Sequence, residues 1–218
     1  MVGSRPMPDV PECIARQLIG IDLTVTLEKA ANAISLLLNP AVMAAFAFLT
    51  LLILAGAHNS VPLVAVCILF GSIIPLAVIY GLSKSGMISD LYVSRRGERA
   101  KPFMGAISSY LLGSAALILL KAPSAVSALM LCYAGNTFIM MLISLRWKVS
   151  VHTSGIAGPA TVLTYTLGPW AAILFALLIP VGWARIDLKA HTPGQTLVGA
   201  LATIGTTWLQ LAFYLRIL

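Results

Sequence analysis

Residues 155–186, GIAGPATVLTYTLGPWAAILFALLIPVGWARI, decide the fold. The stretch carries no charge before Arg185, and Gly168-Pro169 divides it into two apolar runs. Apolar runs of this kind satisfy their backbone in lipid only as helices. Two crossings joined at Gly168-Pro169 bring the chain back to the face it left. His152, just before the stretch, and His191, just after it, are therefore expected at one membrane surface. Arg146, Lys148, Arg185 and Lys189 lie close to them in sequence, and an earlier loop adds Arg95, Arg96, Arg99 and Lys101. Two imidazoles facing a nest of cations are equipment for breaking a phosphate ester.

The rest of the chain agrees with a lipid solvent. Of 218 residues 59% are hydrophobic and 10% charged, and the mean hydropathy is +0.96. A soluble domain carries roughly a quarter charged residues. Crossings are read at 38–57, 61–83, 102–120, 124–145, 154–168, 170–186 and 193–215. The expected fold is all-α, a polytopic membrane bundle of six or seven transmembrane helices. Residues 1–35, proline-rich at the start and patchily amphipathic after it, read as an N-terminal interfacial segment and not as a signal peptide. Residues 36–218 read as a single transmembrane domain. Cys13, Cys67 and Cys132 are scattered without a CxxC pair, which argues against a zinc site or a disulfide framework.

With the N-terminus on one side, the loops at 84–101, 146–153 and 187–192 share that side. Of the 14 Lys and Arg residues only Lys121 and Arg216 then fall on the other. The positive-inside rule makes the charged side cytoplasmic.

The two histidine loops have particular spacings. In one, Val149-Ser150-Val151-His152 precedes a helix rich in small residues, whose N-terminal amides attract anions. In the other, Ala184-Arg185 is followed by five residues, His191, three residues and Gln195. The pair resembles the type 2 phosphatidic acid phosphatase family, to which the vanadium haloperoxidases are related. That family carries Pro-Ser-Gly-His in one loop and Ser-Arg, five residues, His, three residues, Asp in another. Here Ser150 and His152 match the first motif, Arg185 and His191 the second, and TPGQTLVGA resembles the start of the family's last helix.

The departures are as specific as the matches. Valines replace the motif proline and glycine, Ala184 replaces the serine, and Gln195 stands where the family has an aspartate. An amide can fix the tautomer of His191, but it cannot stabilise an imidazolium as a carboxylate does. Asp187 is the alternative orienting residue in this loop. In SKSGMISDLYVSRRGERAKPF, residues 83–103, Lys101-Pro102 resembles the Arg-Pro of the family's first motif, with Ser94 where its lysine would be. Arg99 and Lys101 are the favoured phosphate ligands there, with Arg95 or Arg96 completing the set and Ser150 adding a hydroxyl. Read without the resemblance, the same loop is a basic juxtamembrane segment facing anionic lipid.

The resemblance implies a membrane lipid phosphatase acting on a lipid phosphate or prenyl diphosphate. It implies that His191 attacks phosphorus to form a phospho-histidine and that His152 protonates the leaving alkoxide. Arg185, Arg99 and Lys101 would hold the phosphate oxygens. No cofactor or metal is implied. The loop carboxylates Asp90, Glu98 and Asp187 form no DxxxD pair, which disfavours an aspartate-rich prenyl- or phosphotransferase. Gln195 keeps open a non-catalytic protein that binds or transports lipid phosphates. The partners implied are the bilayer and a membrane lipid phosphate, with no role for nucleic acid; the oligomeric state is open.

Overall fold

A computed structural model describes residues 23–218, and all its regular elements are helical. Residues 1–22, most of the expected interfacial segment, lie outside the described residues. Helix α1 spans Leu23–Leu37 and α2 Pro40–Leu54, the pair bending by 43° at a short break. Asn39 caps α2 by accepting from the Ala41 N–H at 2.9 Å, and Pro40 at the first helical position is preset for the entry. The expected 35/36 boundary therefore falls inside a helix, α1.

Helix α3 runs from Val61 to Lys84 and contains a π turn at Leu69–Ile73. The wide turn lies directly before Pro75, whose ring and missing N–H do not fit a regular α turn. A loop leads through a 3₁₀ turn at Arg96–Glu98 into α4, Ala100–Leu119. Helix α5 is Ser124–Arg146, α6 Val151–Leu167, α7 Leu178–Asp187 and α8 Pro193–Ile217. Among the described residues five helical segments are long and apolar enough to cross a bilayer, six if α1–α2 counts as one bent span. The chain is a multi-pass membrane protein.

The hairpin read from 155–186 differs in detail from two plain helices. The residues after Gly168 (φ +98°) form a 3₁₀ helix at Pro169–Leu177 before α7 begins. A 3₁₀ residue rises about 2.0 Å against about 1.5 Å in an α-helix. The 19 residues of Pro169–Asp187 thereby reach roughly 33 Å instead of about 28 Å, enough for a hydrocarbon core of ~30 Å. The stretching lets a short return segment cross.

Helix α6, where a crossing is expected at 154–168, has 17 residues and is not among those spanning segments. Eleven of its 17 residues are buried, and it packs on α2, α5, α8 and the 3₁₀ segment. Lipid gives helices no hydrophobic reason to associate, so close approach and polar contacts take over. A Cβ on Gly155 would stand 2.7–2.9 Å from Pro40, and one on Gly199 of α8 would stand 2.5 Å from the Ser150 carbonyl oxygen. Deeper in the bundle, Asn136 of α5 donates to Thr207 Oγ1 at 2.7 Å and accepts from Thr206 and Gln210 of α8. Ser154 of α6 and Thr203 of α8 share a bond of 2.7 Å. The Asn136 bonds tie α5 to α8 and the Ser154 bond ties α6 to α8, and α6 and α8 begin with the two histidine loops.

Candidate active site

Three loops meet at one end of the bundle. Arg99, 6% exposed at the start of α4, donates from Nη1 to the Val149 carbonyl at 2.8 Å and from Nε to the Val93 carbonyl at 3.2 Å. The Ser150 N–H donates to the Gln195 carbonyl at 3.1 Å. The bond to Val149 ties the basic loop to the first histidine loop, the bond to Val93 closes the basic loop on itself, and the last ties the two histidine loops together.

Each imidazole is held in a defined way. Thr192 caps α8 by accepting from the Gln195 N–H, while Gln195 Oε1 accepts from the Thr192 N–H at 3.3 Å. This reciprocal capping box orients the amide, because an N–H can only donate. His191 Nδ1 lies 3.1 Å from the same Oε1, so Nδ1 carries the hydrogen and Nε2 keeps its lone pair. The backbone N–H of His191 donates to the Arg185 carbonyl at 3.0 Å, which fixes the loop on the end of α7. His152 has the Ser35 backbone as its hydrogen-bonding neighbour, while its Nε2 is buried without a partner.

Both imidazoles and Arg99 line one cavity of about 480 Å³. On α4 its wall runs through Arg99, Pro102, Phe103, Ala106 and Tyr110, a single helix face. Eleven residues of helix descend about 16 Å, half the thickness of a bilayer core of ~30 Å. At its loop end the cavity holds Arg99 and the two imidazoles; its walls are largely apolar, and it reaches Tyr110, Tyr133 and Asn136.

Arg185 is 5% exposed; its Nη1 reaches Ser35 Oγ at 3.4 Å, its guanidinium lies 5.5 Å from the Tyr92 ring, and its Nε is unpartnered. Its charge acts on both histidines and on Arg99. Lys148 is half-buried, and its charge also acts on His191. Burial, then the Arg99 and Arg185 guanidiniums, hold its ammonium below the usual range. Burial likewise pulls the His191 imidazole down to about 4, against the opposing Gln195 bond and with help from Arg99, Lys148 and Arg185. The described carboxylate whose charge reaches Arg99 and Lys148 is Asp90, itself occupied in accepting from the Tyr92 N–H at 2.8 Å and from Ser94. The cluster is thus short of negative charge and holds orphaned polar atoms, the condition in which an incoming anion supplies most.

Several residues expected here lie elsewhere. Arg95 is exposed and pairs with Glu98 at 3.7 Å. Arg96 is exposed and donates to the Arg146 carbonyl. Lys101, two residues past Arg99, is turned outward by the helical period. The cause is local: Val93 at φ +48°, the Asp90 bonds and the 3₁₀ turn rotate the loop so that only Arg99 points in. The Ser150 hydroxyl is fully buried as the cap of α6, accepting from the Thr153 N–H at 3.4 Å. Asp187 is exposed at the end of α7, and Gln195, not Asp187, is hydrogen-bonded to His191. Lys148, Ser35 and Tyr92 join the site without having been singled out as site residues. For Lys148 the signal was its position beside His152; Ser35 and Tyr92 gave none. Among the described residues no three His, Cys, Asp or Glu side chains gather as a metal site. Comparison with family models, curated proteins and solved structures finds no match.

Proposed function

We propose that this protein is a lipid phosphatase whose phosphate site lies between His191, His152, Arg99, Arg185 and Lys148. The supporting observation is the joint placement of both imidazoles and Arg99 in one cavity, whose wall runs about 16 Å down an apolar helix face. A phosphate at the loop end meets cations and unpartnered polar atoms, and its hydrocarbon chain follows the groove. Orthophosphate alone would leave the apolar part of the cavity unused.

In this reading the Nε2 lone pair of His191 attacks phosphorus, and the bond from phosphorus to the lipid oxygen breaks. His152 takes up the proton carried by the monoanionic phosphate and passes it to the departing alkoxide. Water then attacks the phospho-imidazole and gives a proton to His152. Orthophosphate takes that proton from His152 as it leaves, and both imidazoles are neutral again for another cycle. Arg99, Arg185 and Lys148 stabilise the charge on the non-bridging oxygens. The charge distribution along the chain supports a site on the cytoplasmic face.

A second reading has one observation in its favour: the hydrogen-bond partner of His191 is a neutral amide at 3.1 Å, which suits binding without turnover. Release of orthophosphate from a panel of lipid phosphates and prenyl diphosphates, in detergent with chelator, separates the two. Release lost in His191→Ala supports the enzyme; tight binding with no release supports the carrier.

A further inference from the structure

A second cavity, of about 160 Å³, lies between the start of α4 and the last turn of α5. Arg99 and Phe103 belong to its wall and to that of the histidine cavity, but neither imidazole reaches it. The other walls include Arg96, Ala100 and Ser144. Exposed Arg96 and Leu145, the latter 61% exposed, place its opening at the surface end of the bundle.

Ser144 distinguishes this cavity from a packing gap. Hydroxyls inside the helices of this protein regularly donate to the carbonyl four residues back, as Ser114, Thr161 and Thr164 do at 2.7 Å. Ser144 is 3% exposed, lies inside α5 and makes no such bond; its Oγ is buried without a partner. A hydroxyl left unpaired in this way is free to serve a ligand. Two guanidiniums face the same space. Arg99 spends Nε and Nη1 on the Val93 and Val149 carbonyls, and Nη2 forms no hydrogen bond with the described residues. Arg96 covers the terminal carbonyl of α5 at Arg146, which screens the electron-rich helix end from an anion. Helix α4, 20 residues long, begins here without a side-chain cap, so its positive end adds to the field. The nearest carboxylate in sequence, Glu98, is bound to the Ser89 N–H and hydroxyl and is not in the wall.

We propose that this cavity is a second anion site, taking a phosphate group against Arg96, Arg99 and the Ser144 hydroxyl. The group is either free orthophosphate or the headgroup phosphate of an anionic lipid. The site does not depend on turnover at His191.

The test uses the full chain in detergent, titrated with inorganic phosphate by calorimetry. The expected result is a second phosphate per chain, bound about tenfold more weakly in either Ser144→Ala or Arg96→Ala, as loss of one hydrogen bond to a charged group implies. Arg185→Ala weakens only the other phosphate. A lipid arm reconstitutes the chain in phosphatidylcholine vesicles with phosphatidate and counts retained phosphatidate by native mass spectrometry. Retention that depends on Ser144 and Arg96 identifies the headgroup as the source; phosphate binding without such retention identifies the free anion. Ser144 has no bond to lose and the Arg96 bond to the Arg146 carbonyl is exposed to solvent, so Ser144→Ala should keep the wild-type Tm and Arg96→Ala should stay close to it. Wild-type affinity for both probes in folded Ser144→Ala and Arg96→Ala overturns the proposal.

Discussion

Two polar clusters, one in mid-bundle and one at the loop end, are built in opposite ways. In the mid-bundle cluster Asn136, Thr203, Thr206, Thr207 and Gln210 satisfy one another, together with Ser154, at 2.7–2.9 Å. At the loop end, Arg185 Nε and His152 Nε2 are buried without partners, and the guanidiniums meet carbonyls and a ring instead of carboxylates. The closed network locks helices together, and where Asn136 and Ser154 line the cavity their polar atoms are already paired. An open one destabilises the empty fold, at about 1–3 kcal/mol per orphaned group, and recovers that when an anion arrives. Buried polar atoms alone do not mark a site; their unfinished pairing does.

The comparison breaks first at His152. Replacing it with Ala removes the proton carrier of both steps, and lipid-phosphate hydrolysis should fall about 10²–10⁴-fold, with formation of the phospho-enzyme on His191 slowed as well. Stopped-flow phosphate release reads the loss. Undiminished release would remove His152 from the reaction.

Arg185→Ala should cost about 10²–10³-fold in kcat, by analogy with loss of one donor to a transition-state oxyanion. Arg95→Ala and Lys101→Ala, although their charges lie in the same sequence neighbourhood, should change it less than about twofold, because exposed cations are screened by solvent. Equal losses in all three would mean that the buried and exposed cations are not distinct.

Gln195 sharpens the comparison through pH. With His191 held at about 4, the acid limb of kcat/KM should lie near that value and not near 6.5. Gln195→Asp places a carboxylate on Nδ1 and should move the limb upward, whereas Gln195→Leu frees the tautomer and should slow turnover about tenfold. The depressed value also has a sign for stability. Between about 6.5 and about 4 the unfolded chain takes up a proton that folded His191 refuses, so Tm should fall as pH drops through that window.

The smallest effect belongs to the closed network. Thr207→Val removes the acceptor of the Asn136 bond and should lower stability by about 0.6–1.7 kcal/mol with hydrolysis unchanged. A thermal-shift assay on the purified protein checks the first half, phosphate release the second.

Apolar runs and loop parity made the helical membrane fold and the meeting of His152 and His191 legible before any coordinates, because lipid permits few other backbones. Gln195 was expected beside His191 from the spacing of the family motif; the capping box that turns its amide toward the imidazole is a finding of the structure. Arg99 could not be told from Arg95, Arg96 and Lys101 by composition: the choice rests on a positive φ at Val93 and a 3₁₀ turn. Ser35 reaches Arg185 across 150 positions of chain, a packing outcome with no local signature. The stretched 3₁₀ return before α7 was hidden for a similar reason, because apolar periodicity fixes a crossing and leaves its pitch to its neighbours.

The most direct test of the central claim is acid-quenched trapping of the enzyme after brief exposure to a lipid phosphate labelled at phosphorus, with chelator present. The account predicts an acid-labile, alkali-stable label on His191, absent in His191→Ala and chased into orthophosphate by unlabelled substrate. Orthophosphate release with no labelled protein, or a label that survives His191→Ala, would contradict it.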